Sequence, residues 1–162
     1  MVFDLQELSI KQKELDDKIL EMHCLDSSNT IKERILAFMV ELAELANETR
    51  CFKYWSLKSA SATNVILEEY VDGIHFLTSL GNQIGLENVF EANKVDVSLT
   101  EQFSDIFACA GVLKDSFNKD SLSKLYVKYL ELGIMLGFDS KTIIEGYYEK
   151  NKENHKRQET GY

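Results

Sequence analysis

The absence of proline is the feature that most restricts how this 162-residue chain can fold. Proline breaks the hydrogen bonding of a helix interior, so a chain without it can form long, uninterrupted helices. The apolar residues recur at spacings of three and four, as in amphipathic helices, and no segment shows the alternation of a half-buried strand. The sequence therefore predicts an all-α fold without β-strands.

Turn residues and capping patterns divide the chain into about six predicted helices. Five of them lie at residues 4–24, 30–48, 98–115, 121–136 and 139–157, and the third helix begins within residues 59–63 and ends near Gly81 or Gly85. Two helix starts show a capping box, Thr30 with Glu33 and Ser98 with Glu101, and Gly137 is expected to end the fifth helix. We expect a helical bundle with a four-helix core that carries the active site.

Composition restricts the location and partners of the chain. Its 27 acidic and 18 basic residues give a net charge of −9, which repels nucleic acid backbones and anionic membranes, so we expect no polymeric nucleic acid partner. We find no targeting leader and no membrane-spanning apolar run, and we therefore expect a cytoplasmic protein without membrane attachment. Its length and 44% hydrophobic content favour one domain over residues 1–162.

Two acidic motifs lie within apolar helical sequence. Glu41 and Glu44 are three residues apart in the second predicted helix, and Glu69 and Asp72 repeat this spacing in the third. If these helices pack side by side, the four carboxylates converge, because residues three apart share a helix face. Buried carboxylates are paired or bind cations, and Mg²⁺ prefers oxygen ligands. The motifs predict a metal site, although a solvated face of an acidic chain can show the same spacing by chance.

Basic and amide residues form a stripe along the last predicted helix. Lys150, Asn154, Arg157 and Gly161 follow one another at spacings of four, three and four. Arg157 offers a planar fork and Lys150 a point charge, so the stripe could bind phosphates. The alternative is that these cations simply favour a helix C-terminus through the helix dipole. The spacing does not decide between the two interpretations.

Three further residues are candidates for the site, and two of them have a second interpretation. Trp55 lies in an aromatic link after the second helix, where it either closes the core or stacks on a base. His75 follows Asp72 by about one turn and either supports the metal ligands or is an ordinary core histidine. Glu48 continues the stripe of Glu44 and could likewise support the ligands.

Taken in order, these motifs resemble the all-α dimeric dUTPases, in the superfamily that also holds the MazG-like pyrophosphohydrolases. That family has a first-helix glutamine, an ExxE helix, an aromatic-lysine-aromatic-tryptophan link, an ExVDxxHF-like helix and a terminal KxxxNxxRQxxGY motif. The matching segments here are Gln12, Glu41 to Glu44, Phe52 to Trp55, Glu69 to Phe76 and Lys150 to Tyr162.

The resemblance implies a homodimer that hydrolyses dUTP to dUMP and pyrophosphate. It implies that the enzyme also hydrolyses dUDP to dUMP. The nucleophile would be a water activated by two or more Mg²⁺ ions, for which Mn²⁺ could substitute, with Glu41 as general base and Glu44 as the second candidate. The ions would be held by Glu41, Glu44, Glu69 and Asp72, the phosphates or sugar by Lys150, Asn154, Arg157 and Tyr162, and the uracil by Gln12, Asp16, Trp55 and Phe76.

Asp16 departs from the pattern of the family, because many relatives carry an asparagine one turn after the glutamine. An ionised acid cannot donate the hydrogen bond that an amide donates. A MazG-like enzyme with a different or broader base specificity is therefore one alternative. A second alternative is a non-catalytic helical interaction protein whose acidic cluster is structural.

Overall fold

Six α-helices make up most of residues 1–161, which are the residues that the computed structural model describes. The helices are α1 (Gln6–Met22), α2 (Ile31–Thr49), α3 (Thr63–Ile84), α4 (Leu99–Leu113), α5 (Lys119–Met135) and α6 (Ser140–Thr160). The predicted all-α architecture is confirmed, and the helix ends lie within a few residues of those expected. In this range no helix has the length and apolar character needed to cross a membrane.

The prediction of a chain without strands is wrong at two short segments. Strands β1 (Val2–Asp4) and β2 (Val89–Glu91) pair antiparallel, with Phe3 opposite Phe90. Only the central residue of each strand is buried, so each does alternate, but three residues are too few for a periodic signal. The pair fixes the N-terminus beside the segment that follows α3.

The helix ends confirm most of the predicted caps. Ser98 forms the capping box of α4, and Gly137, with a φ of 90°, follows the end of α5. The capping box predicted at Thr30 does not form, because its hydroxyl donates to the carbonyl of Ser27 in a 3₁₀ turn at Ser27–Thr30. The side-chain cap comes one turn earlier, from Asp26, which accepts the backbone N–H of Ser28 at 2.8 Å.

Two buried tyrosines join α3 to α5 at the centre of the core. The rings of Tyr70 and Tyr129 stack at 4.7 Å, and each hydroxyl donates to the backbone carbonyl of the other residue, at 3.1 and 2.8 Å. Such close packing requires glycine opposite each ring, because a Cβ on Gly73 would overlap the hydroxyl of Tyr129, and one on Gly133 that of Tyr70. The arrangement holds the segment of α3 that carries the acidic motif.

We expect Gly73→Ala to lower the free energy of unfolding by about 1–3 kcal/mol, because the added methyl group must displace the buried Tyr129. Gly111→Ala is the matched control, since that glycine is exposed on α4 and no neighbouring atom lies within 4 Å of the added Cβ. The control should change stability by less than about 1 kcal/mol, in the stabilising direction. Urea unfolding followed by circular dichroism measures both, and equal stability of the two variants would contradict the tyrosine packing.

Candidate active site

The packing of α2 against α3 brings three of the four predicted acidic residues together. One carboxylate oxygen from each of Glu41, Glu69 and Asp72 lies within 4.8 Å of the other two. Glu69 and Asp72 share a face of α3, and Glu41 lies opposite them on α2. Glu44 is exposed and lies outside this group of three, which we call the acidic cluster.

Burial and mutual repulsion disfavour the ionised forms of the cluster. The pKa of Glu41 is raised to about 7, first by burial and then by the negative charges of Asp72, Glu44 and Glu69. Burial likewise raises the pKa of Glu69 and of Asp72. Three carboxylates held this close are stable together only if protons or cations reduce their repulsion.

Lys150, predicted to contact phosphate, lies against the acidic cluster. Its side chain is 9% exposed, and its Nζ lies 2.9 Å from Asp72 Oδ2 and 3.0 Å from Glu68 Oε1. One ammonium group therefore offsets part of the negative charge from the α6 side. The predicted contact between Lys150 and a phosphate stays a prediction.

The donor atoms of the cluster fit a hard divalent cation. Carboxylate oxygens are the ligands that Mg²⁺ and Mn²⁺ prefer. Within residues 1–161 the group contains neither histidine nor cysteine, which makes a zinc site of the usual kind a poor fit. Lys150 offsets only part of the negative charge of the acidic cluster, and such a cation would neutralise the rest.

A cavity of about 400 Å³ adjoins the acidic cluster and shares Glu41 and Asp72 with it. Its size lies within the usual range for small-molecule sites. Predicted base and phosphate contacts also line it: Gln12 and Asp16 from α1, Phe76 from α3, and Asn154 and Arg157 from α6. Residues far apart in the sequence thus form one concave site beside the carboxylates.

A chain of hydrogen bonds crosses the wall of this cavity. Gln12 Nε2 donates to Asp16 Oδ1 at 2.8 Å, while Gln12 Oε1 lies 2.7 Å from His75 Nδ1 and accepts from the Tyr147 hydroxyl at 2.8 Å. His75 is 5% exposed, and burial lowers its pKa to about 3, so its ring is neutral and Nδ1–H donates to Gln12. His75 is thus a buried, hydrogen-bonded histidine that also lines the cavity.

Two predicted site residues within residues 1–161, Trp55 and Glu48, do not meet the others. Trp55 is 65% exposed, packs edge-to-face on Phe52 and Tyr54, and does not line the cavity. Glu48 accepts a hydrogen bond from Ser61 in the segment before α3 and lies outside the acidic cluster. Tyr162 lies outside the described residues.

Arg34 and Ser79 line the cavity but were missed in the sequence. Arg34 precedes Glu41 by seven residues, so the two lie on one face of α2, two turns apart. That spacing was visible, but a single arginine near a helix start has no distinctive pattern. Ser79 follows Phe76 on α3 by about one turn and is likewise inconspicuous.

The raised pKa of Glu41 makes the stability of the metal-free protein depend on pH. A carboxyl group that holds its proton more tightly when folded adds stability at low pH, and this contribution is lost between pH 4.5, its ordinary pKa, and about pH 7. At pH 8, Glu41→Gln should therefore raise the free energy of unfolding by on the order of 1–2 kcal/mol, after allowance for solvent screening of a half-buried group.

Urea unfolding in a chelator at pH 4 and pH 8 tests this expectation. At pH 4, where Glu41 is protonated in both states, Glu41→Gln should have little effect. Glu33→Gln, an exposed change on the same helix, is the control and should have a small effect at both values. A Glu41→Gln variant that is no more stable than wild type at pH 8 would contradict the raised pKa of Glu41.

Comparison with known protein families assigns the chain to one of them. The family model described as dUTPase matches residues 4–162, a range that includes both acidic motifs and the terminal helix. No curated protein shows a significant match to the sequence. The chain therefore belongs to the all-α dUTPase family, whose members hydrolyse dUTP, as the motifs predicted.

Proposed function

We propose that the chain hydrolyses dUTP to dUMP and pyrophosphate in a reaction that depends on Mg²⁺, and that it also accepts dUDP. Membership of the dUTPase family supports the hydrolysis of dUTP. The observation that carries the metal dependence is the convergence of the carboxylates of Glu41, Glu69 and Asp72 beside a nucleotide-sized cavity, whose wall includes the first and the last of them.

The metal would be held by the acidic cluster together with Glu44, as two or more Mg²⁺ ions, with Mn²⁺ able to substitute. When bound, these ions would supply positive charge for the phosphates and make water a stronger nucleophile. The charge of Glu44 acts on both Glu41 and Glu69, so it belongs electrostatically to the same site.

Glu41 is the residue we assign as general base. It lines the cavity and belongs to the acidic cluster. Asp72 does both as well, but its carboxylate is paired with Lys150 at 2.9 Å. Among the described residues no hydrogen bond or ion pair engages the Glu41 carboxylate, which leaves it able to accept a proton from water. Glu44, more exposed, is the second candidate.

The rest of the cavity would bind the nucleotide. Gln12, Asp16 and Phe76 offer hydrogen-bonding groups and an aromatic ring to the base. Asn154 and Arg157 of α6 line the side that would face the phosphates or sugar, and Lys150 reaches the acidic cluster from the same helix. Contacts from Trp55 and Tyr162, a homodimeric assembly and a cytoplasmic location rest on the sequence alone and stay predictions.

A broader pyrophosphohydrolase is the second candidate, and the Asp16 carboxylate on the cavity wall is the observation that favours it. An acidic residue there presents acceptors where many relatives present an amide. Membership of the dUTPase family argues against the third interpretation, a non-catalytic interaction protein. Substrate preference therefore decides between the two enzymes.

Initial rates of dUTP, dUDP, dCTP, dTTP and UTP hydrolysis, with Mg²⁺ and with chelator, test the proposal. We expect dUTP to give the highest kcat/KM, with pyrophosphate as product and no turnover in chelator. Comparable rates with dCTP or dTTP would instead support the broader enzyme. Turnover of dUTP at full rate in chelator would contradict the metal dependence.

The carboxylates should be essential for this activity. We expect Glu41→Gln and Asp72→Asn each to lower kcat by on the order of 10³-fold, because each removes a cation-binding carboxylate from the cavity wall. The control Glu33→Gln, exposed on α2, should retain wild-type rates. Unchanged turnover in either cluster variant, with the fold confirmed by circular dichroism, would remove that residue from the site.

A further inference from the structure

Arg34 lies on the cavity wall with every donor engaged by the protein itself. A guanidinium has five N–H groups. They match five contacts: Nε to Thr30 O at 3.3 Å, Nη1 to Ser79 O and Oγ at 3.1 and 3.2 Å, and Nη2 to Ser27 O and Gln83 Oε1 at 2.6 and 2.8 Å. The side chain is therefore fixed between α2, the 3₁₀ turn and α3 and keeps no donor for a ligand.

The charge of Arg34 acts on Asp16, which lines the same cavity. Burial raises the pKa of Asp16, while hydrogen bonds from Ser79 and Gln12 and the positive charge of Arg34 oppose that rise. The Ser79 hydroxyl accepts from Arg34 and so has its proton available for Asp16. Arg34 thus favours the ionised carboxylate both by its charge and through Ser79.

The role of Asp16 as a hydrogen-bond acceptor in turn fixes Gln12 and His75. A carboxylate only accepts hydrogen bonds, so Gln12 must direct Nε2 towards Asp16 and Oε1 towards His75. The neutral ring of His75 then directs Nδ1 to Gln12 Oε1, while its other nitrogen, Nε2, stays buried. One arrangement of donors and acceptors therefore runs from Arg34 to His75.

We propose that Arg34 is a positioning residue that holds Asp16 as an ionised acceptor, and through it Gln12 and His75, so that the cavity presents one fixed hydrogen-bonding pattern to the nucleobase. The inference rests on the proposed function, because that function places the base in this cavity. Arg34 itself keeps no N–H group for the substrate. Its loss should affect substrate binding and leave the acidic cluster, two helical turns away along α2, in place.

The other ionisable groups around Asp16 have weaker effects. Asp17 on α1 raises the pKa of Asp16, and it does so less than Arg34 lowers it. Tyr147 on α6 is kept neutral by burial, which raises its pKa, and His75 on α3 is neutral as well. Arg157 lines the same cavity from α6. The positive charge of Arg34 is the largest charge effect on the pKa of Asp16.

The test begins with Arg34→Met and its effect on Asp16 in the free protein. Carboxyl ¹³C chemical shifts, recorded from pH 3 to 8 without metal or nucleotide, give the midpoint of the Asp16 titration. We expect Arg34→Met to raise that midpoint by about one pH unit or more, because a nearby opposite charge is lost. Lys32→Met removes an exposed charge from the same helix and should leave the midpoint unchanged.

Kinetics with dUTP and Mg²⁺ then separate binding from chemistry. Arg34→Met should raise KM about tenfold or more and change kcat less than about twofold. In an Asp16→Asn background the same change should have no further effect on KM, because Arg34 acts through Asp16. If Arg34→Met does not fold, Arg34→Gln replaces it with the same expected changes, and Arg34→Lys, which keeps the positive charge, should retain both the Asp16 midpoint and most of the affinity for dUTP.

Two results would overturn the inference: an Asp16 midpoint that Arg34→Met leaves unchanged, or equal losses in kcat and kcat/KM in a folded variant. A further effect of Arg34→Met on KM in the Asp16→Asn background would also overturn it. Failure of the wild-type protein to hydrolyse dUTP would instead refute the proposed function, and the Asp16 titration alone would then decide whether Arg34 controls this carboxylate.

Discussion

Repulsion among three carboxylates is the constraint on which the arrangement of this protein depends. Packing of α2 against α3 holds oxygens of Glu41, Glu69 and Asp72 within 4.8 Å of one another, and the pKa of Glu41 is raised to about 7 as a result of burial and of its neighbours' charges. A chain that only had to be stable would separate these groups. The stacked tyrosines between α3 and α5 hold α3 in place against this repulsion, and Lys150 offsets part of it.

The same cavity wall combines two kinds of polar site. At the acidic cluster the negative charge is incompletely compensated, which favours cations and, with them, phosphates. Two turns away along α2, Arg34 and its partners form a polar network in which nearly every group is satisfied and each hydrogen bond has a set direction. Incomplete compensation suits an ion that binds from solution, whereas a satisfied network suits recognition of a base with fixed donors and acceptors.

Local geometry explains what could be predicted from the sequence and what could not. The acidic cluster was predictable because residues three apart share a helix face, and the match to the dUTPase motifs assigned Gln12 to the same site. The strand pair was not, since three residues carry no period. The pairing of Lys150 with Asp72 and the network around Arg34 depend on contacts between distant helices, and no local pattern of residues encodes them.

Direct measurement of metal binding tests the central claim that the carboxylates form a cation site. Titration of the protein with Mn²⁺, followed by the electron paramagnetic resonance signal of the free ion, should show saturable binding that Mg²⁺ displaces. Glu69→Gln, which alters a carboxylate of the cluster without touching the cavity wall, should weaken that binding at least tenfold. An unchanged Mn²⁺ affinity in Glu69→Gln, or no saturable binding to the wild-type protein, would contradict the account.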